Sequence, residues 1–136
     1  MDLARALDFI REHHHAVMLT HRRDSSPAMS PVACNVDADG RIVVSTRETA
    51  MKTTHLRRDP SVALCVLSDG FFGEWIQIEG RAEVVSLPDA MEPLVDYYRS
   101  TSGEHPDWDD YRAAMVRDQR VLVRITVNRT GPNRQG

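Results

Sequence analysis

The sequence predicts a mainly β, α+β domain: an antiparallel barrel of about six strands with short flanking helices. Three observations carry that prediction. Short apolar or alternating runs recur along the chain. Hairpin-type turns join them far more often than helices do. No GxGxxG follows the first strand and no Walker-type loop is present, which argues against a doubly wound nucleotide-binding sheet. With 136 residues, 41% hydrophobic and 27% charged, the chain can bury one real core but not two, so residues 1–136 read as a single domain.

Each element follows from local chemistry. Leu3, Ala6, Leu7 and Ile10 recur at i, i+3, i+4 and i+7 behind an Asp2 cap, which describes one apolar face of a short helix. AVMLT, residues 16–20, is a buried strand, HRRDSSP its turn, and AMSPVACNV a second strand interrupted by Pro31. Proline cannot donate to a sheet ladder, so Pro31 predicts an edge or bulge where backbone faces a ligand or partner. DADG closes a hairpin into RIVVST, a third strand ending at Thr46. The stretch ETAMKTTHLRRDP, residues 48–60, suits a short helix stopped by Asp59-Pro60. VALCVL (62–67) and EWIQIEGRAEVV (74–85) are further strands separated by SDGFFG, with Trp75 and Ile78 among the apolar positions of the second. PDAMEPLVDYYRST and WDDYRAAMVRD are helical in pattern. Asp107 caps the latter, and Asp109 and Asp110 meet the positive end of its dipole. RVLVRITV (120–127) is the last strand, and the polar, Gly/Pro-punctuated tail 128–136 reads as irregular.

A net charge of −3 argues against nucleic-acid binding through a general basic surface, and no apolar run approaches a membrane span. The expected partner is a small molecule and the expected compartment the cytoplasm. Cys34 and Cys65 lie in apolar runs without metal or redox spacing, so both read as reduced core residues. The run His13-His14-His15 has no carboxylate or cysteine partner at ligand spacing, and successive helical side chains diverge; a solvated helix end describes it better than a metal site. No nucleophile-and-base arrangement has a recognisable local sequence.

One cluster stands apart. Sixteen of the seventeen basic residues are arginine, and the single lysine, Lys52, sits just after a strand, with His55, Arg57 and Arg58 close behind. A helix starting there offers free backbone N–H groups and partial positive charge, to which a first-turn lysine adds a mobile cation suited to phosphate. Ser45, Thr46, Thr49 and Thr53 add hydroxyls. A surface helix with solvated cations explains the same residues.

In order along the chain, HAVMLTHRRDSSPAMSPV, GRIVVSTRETAMKTTHLRRDPSVALCV, IEGRAEVV and SGEHPDWDDYRAAMVRDQRVLVRI resemble the pyridoxamine 5′-phosphate oxidase-like split β-barrel proteins. Within them, the resemblance is closer to the coenzyme F420-dependent branch, the flavin/deazaflavin oxidoreductase group B. It runs from about Ala16 to Val127, and its specific segments are KTTHLRRDP and GEHPDWDDYR.

The resemblance implies a homodimer of six-stranded split barrels of the FMN-binding type, with a cofactor groove at each side of the subunit interface. It places the cofactor phosphate on Ser45, Thr46, Ala50, Met51, Lys52 and Thr53, with Lys52 as the phosphate-binding lysine. Ser30, Pro31 and Val32 would lie along the deazaflavin ring. Some relatives carry an arginine two residues before the lysine; here that position is Ala50. The implied activity is an F420-dependent oxidoreductase that passes a hydride to an electron-poor C=C or C=O bond of a small organic substrate. The final proton comes from water or from a side chain such as Tyr111. Trp75 either stacks on a planar substrate or packs in the core or dimer contact. An FMN-dependent oxidase or reductase, and a non-catalytic F420-binding protein, are the alternatives on the same barrel.

Overall fold

The computed structural model describes residues 2–135. The element order is α1 (Leu3–Glu12), β1 (His15–His21), β2 (Pro27–Val36), β3 (Ile42–Arg47), α2 (Met51–Arg58), β4 (Ser61–Leu67), β5 (Glu74–Val85), α3 (Met91–Ser102), α4 (Trp108–Arg117) and β6 (Arg120–Gln135). The six strands form a closed antiparallel barrel in the order β1-β2-β3-β6-β5-β4. Closure depends on two non-local ladders, β1 with β4 (Ala16 opposite Val66) and β3 with β6 (Val44 opposite Val123).

Alternation along the strands sorts side chains between the lumen and the outer face. Ala16, Met18, Cys34, Ile42, Val44, Val62, Leu64, Val66, Ile76, Ile78, Val123 and Ile125 form the interior, together with Ala6, Leu7 and Ile10 from α1. Each Val, Leu, Ile and Met side chain among them contributes about 1.5–3 kcal/mol by burial. The Asp2 carboxylate caps α1 by accepting from the Arg5 N–H at 2.9 Å, and Asp107 caps α4 by accepting from the Asp110 N–H at 3.1 Å. A second cluster lies outside the barrel, where α3 sets Leu94 against Val43 and Leu122, with Ala90 beside them.

Two positions require glycine, one for its backbone conformation and one for a close approach. Gly40 closes the β2–β3 hairpin at φ +77°. A Cβ at Gly80 would lie 2.4 Å from the Thr126 carbonyl oxygen, so β5 crosses β6 there without a side chain between them. The β5–β6 ladder shifts register at the same place.

Three expectations need correction. The tail is not irregular: β6 continues to Gln135, with Arg134 opposite Trp75 and Gln135 opposite Glu74, and of the tail only residue 136 lies outside the described residues. This extension is held by the backbone ladder along β5, so its side chains carry no hydrophobic period to read. Cys65 is not a core residue. It stands among the half-buried positions of β4 that alternate with the lumen-facing Val62, Leu64 and Val66, whereas Cys34 is fully buried and its thiol is pushed up to about 12 by burial. Trp75 shares no face with Ile78: Ile76 and Ile78 point inward, and Trp75 lies on the outer surface opposite Leu67.

Pro31 lies on an unpaired strand edge, as expected of a residue that cannot donate to a ladder. It sits opposite Val17 in the part of β2 that pairs with β1 alone, because β3 reaches only Cys34–Val36.

Candidate functional site

The strand-to-helix passage from β3 into α2 is built by three contacts. The buried Thr53 hydroxyl donates to the Arg47 carbonyl at 2.6 Å, the Ala50 N–H donates to the same carbonyl at 3.1 Å, and the Thr53 N–H donates to the Ala50 carbonyl at 3.1 Å. Thr53 therefore shapes the turn from beneath, its hydroxyl proton already committed. Thr46 is likewise buried, and Ser45 is half-buried.

What remains open is the first turn of α2. Its N-cap is Ala50, which has no side-chain acceptor to offer, and among the described residues the amide N–H groups of Met51 and Lys52 have no acceptor. The Lys52 ammonium likewise makes no ion pair or hydrogen bond among the described residues. Met51 is 67% exposed beside it. A helix start with free donors and an uncompensated ammonium is an anion cradle by elementary electrostatics.

The other cations of the cluster divide. Arg57 is consumed within the fold: its guanidinium grips both carboxylate oxygens of Glu48, one contact at 3.0 Å, and reaches the Ser86 hydroxyl at 2.8 Å. That hydrogen bond holds the Glu48 carboxyl below its ordinary range and raises Arg57. Arg57 is therefore neither an extension of an anion site nor a solvated cation. Arg58 instead donates to the His21 carbonyl at 2.5 Å.

Arg58 has company that sequence spacing concealed. Together with Arg22 and Arg23 of the β1–β2 turn it lines a recess of about 380 Å³ that also touches Ala28 of β2 and Met51, Thr54 and His55 of α2. Arg22 donates to the Pro27 carbonyl and, at 3.4 Å, to the Ser26 hydroxyl. Arg23 is exposed and has no side-chain partner among the described residues. Arg22 and Arg58 are oriented on carbonyl and hydroxyl oxygens without a direct ion pair, so the recess keeps a positive charge that the nearby Asp24 and Asp59 carboxylates only partly offset. Beneath it, His55 is buried, with Nδ1 2.9 Å from the Thr20 hydroxyl. Burial lowers its pKa, and the Arg58 and Arg22 charges push the same way.

On β2, Ser30 and Val32 are half-buried and Pro31 is exposed. Pro31 and Val32 border a shallow depression of about 350 Å³ with Leu67, whose cross-strand neighbour is Trp75. Ala28, two residues before Ser30, reaches the arginine recess, so β2 runs from the cationic region to the apolar depression. Near Trp75, the β4–β5 turn exposes Phe71 and Phe72, edge to face at 4.9 Å. The adjacent phenylalanines were present in the sequence, but only the fold leaves both uncovered.

Tyr111 and the histidine run leave the list of candidates for chemistry. The Tyr111 hydroxyl donates to the Leu94 carbonyl at 2.9 Å, burial pushes it up to about 12, and it packs among Tyr98, His105 and Trp108. It joins α4 to α3 and has no proton to spare for a substrate. The histidine run diverges: His13 packs on Phe9, His14 Nδ1 lies 3.0 Å from the Cys34 carbonyl, and exposed His15 opens β1.

This architecture defines a class, and comparison with known proteins agrees. The family model for pyridoxamine 5′-phosphate oxidase matches residues 3–132, and the chain belongs to that family. Among curated relatives, the F420H(2)-dependent biliverdin reductase of Mycobacterium tuberculosis (strain CDC 1551 / Oshkosh) is 30% identical over 125 residues, covering 91% of this chain and 82% of that protein. A crystal structure of a conserved hypothetical protein from Mycobacterium tuberculosis superimposes with a TM-score of 0.77 at 28% identity, over 96% of this chain and 82% of that one. A structure titled F420 reductase shares the fold, with a TM-score of 0.69 at 15% identity over 91% of this chain and 94% of that one. The fold is thus the six-stranded split barrel of this family.

Proposed function

We propose that this chain is a coenzyme F420-dependent oxidoreductase that reduces an electron-poor C=C or C=O bond of a small organic substrate. The observation that carries the reading is the unpartnered Lys52 ammonium beside the free Met51 and Lys52 amides. The 30% identical relative, named as an F420H(2)-dependent reductase, supports the choice of cofactor.

The residues fit such a group. Lys52 and the first turn of α2 would hold its phosphate, with Ser45 and Thr46 behind. The recess of Arg22, Arg23 and Arg58 would take its carboxylates, and Ser30, Pro31 and Val32 would offer backbone along the ring. When bound, reduced F420 supplies a hydride. The chain's own part is to orient: the loop tied by Thr53 fixes the phosphate cradle, which sets how far along β2 the rest of the ligand extends. Trp75, the cross-strand neighbour of Leu67 at the depression, would stack on a planar substrate.

The site is completed by a second copy of the chain. Val17, Leu19, Ala63, Cys65 and Leu67 lie half-buried on the outer face of β1 and β4, next to Met29 at 68% exposure. An apolar sheet face of this kind calls for a cover, and a homodimer supplies it. Light scattering tests it, and a monomer mass at micromolar concentration would overturn it. With two free cysteines and no described helix able to cross a membrane, we assign the protein to the cytoplasm.

Fluorescence titration of purified protein with F420 and with FMN is the test of the cofactor. Saturable F420 binding, tighter than FMN and weakened by salt, is expected. Tighter FMN binding would replace the deazaflavin by a flavin on the same barrel. F420 binding without turnover of any acceptor would make the chain a carrier.

A further inference from the structure

A titratable ring lies beneath the arginine recess. His55 is only 5% exposed, and the recess of Arg22, Arg23 and Arg58 opens over it. Its two nitrogens differ. Nδ1 lies 2.9 Å from the Thr20 hydroxyl. Nε2 has no hydrogen-bond partner among the described residues, yet it is not one of the fully buried side-chain atoms that lack one, so it keeps solvent access on the side of the recess.

The Thr20 contact permits either charge state. A hydroxyl donates to Nδ1 of one neutral tautomer and accepts from Nδ1–H of the charged ring, whereas a carbonyl would require Nδ1 to stay protonated. Accepting leaves the Thr20 proton without an acceptor among the described residues, which favours the neutral ring while the recess is empty.

The charges around His55 push the same way. Arg22 and Arg23 come from the β1–β2 turn, and Lys52 and Arg58 from its own helix. The acids nearby are occupied. Asp24 accepts from the Ser26 N–H at 3.0 Å and the Ser26 hydroxyl at 2.6 Å, and Asp59 accepts from the Ser61 N–H at 3.1 Å and stands 3.9 Å from His21 Nδ1. Glu48 is held by Arg57. On β5, which also packs on α2, Arg81 and Glu83 are exposed and alternate with Ala82 and Val84, which pack on the core. Burial, then Arg58 and Arg22, accordingly hold the free ring neutral.

We propose that His55 is a ligand-binding residue of this recess and takes up a proton when a molecule with two or more carboxylates enters, so that the recess binds polycarboxylates more tightly as the solution becomes more acidic across the neutral range. The inference rests on the assignment of the recess to the cofactor's carboxylates and adds a coupling to protons. The entering carboxylates offset the guanidinium charges that oppose protonation; one alone would leave most of that charge standing. The proton comes from solvent and completes the ring, with Nδ1–H donating to Thr20 and Nε2–H to a carboxylate oxygen. Because the ligand raises a depressed pKa, the complex holds more protons than the free protein between the two values, and affinity rises as pH falls through that window.

The probe is glutarate, titrated into wild-type protein from about pH 8 to about pH 6 and followed through the imidazole NMR signals, with sodium chloride at matched ionic strength as the control. Saturable binding, a His55 titration midpoint raised by glutarate, and a Kd lower by roughly threefold or more at the acidic end are expected. His55→Gln keeps an N–H donor but cannot titrate, so it should bind glutarate without the pH dependence. If that variant does not fold, the wild-type His55 midpoint decides by itself. A midpoint that glutarate leaves unmoved, absence of saturation, a shift reproduced by chloride, or a pH dependence retained in His55→Gln would each overturn the proposal. Failure of F420 to bind would defeat the cofactor reading and leave a positive glutarate result standing, whereas tight F420 binding with an unmoved His55 would defeat this proposal alone.

Discussion

Replacing Lys52 by alanine isolates the anion cradle from the fold. Among the described residues its ammonium makes no ion pair or hydrogen bond, and half-buried Lys52 is not part of the core, so the substitution removes neither kind of contact and leaves the core intact. Alanine is also the better helix former, so the free protein should melt within about half a kcal/mol of wild type. Ligand binding is where the loss should appear. A hydrogen bond to a charged group contributes about 1.5–3 kcal/mol, which corresponds to roughly ten- to a hundredfold in Kd for F420. Arg57→Ala is the wrong comparator, because Arg57 holds Glu48 and Ser86 together. Arg23→Ala is the more informative one: that side chain is exposed and has no partner among the described residues, so its loss leaves the fold intact and removes one exposed, solvent-screened contact to the cofactor carboxylates, less than about 1 kcal/mol and well below the loss expected from Lys52→Ala. Fluorescence titration of the three proteins at two salt concentrations reads all of this. Unchanged F420 affinity in Lys52→Ala would refute the reasoning and return α2 to an ordinary solvated helix. A large loss in Arg23→Ala with none in Lys52→Ala would move the phosphate into the arginine recess.

Four further outcomes test the surrounding structure. The Glu48 carboxyl is held low by Arg57, so this pair's contribution to stability is complete above the ordinary carboxylate pKa and is lost as pH falls through the depressed folded value; in Arg57→Ala the Glu48 ¹³C carboxyl signal should titrate at a higher pH than in wild type. Thr20→Val leaves buried His55 Nδ1 without its partner and should cost about 1–3 kcal/mol by denaturant unfolding. Because His55 is held neutral, with a folded pKa below its unfolded value, stability is fully present above the unfolded pKa and declines as pH falls toward the folded one; wild type titrated by imidazole NMR should show His55 protonating below an ordinary histidine. Gly80→Ala forces a methyl group to within 2.4 Å of the Thr126 carbonyl oxygen and should destabilise the barrel by about 1–3 kcal/mol, and a denaturation midpoint equal to wild type would show that β5 and β6 can separate there.

The sequence by itself determined where the chain alternates and where it turns. Strands β1 to β5, both aspartate caps and the helix carrying Lys52 are local facts, written in apolar period, turn chemistry and capping residues. Lys52 was legible for the same reason, as a cation at a helix start. Which cations stay free was decided only by the tertiary structure. Arg57 meets Ser86 across 29 residues and Arg58 meets the His21 carbonyl across 37, distances that strand pairing closes and spacing does not encode. The outward placement of Cys65 and Trp75 and the backbone-held end of β6 belong to the same category. Hydrophobic period says that a residue has a face to bury; what it meets there is set by ladder register and helix docking, which join parts of the chain that have no local relation to each other.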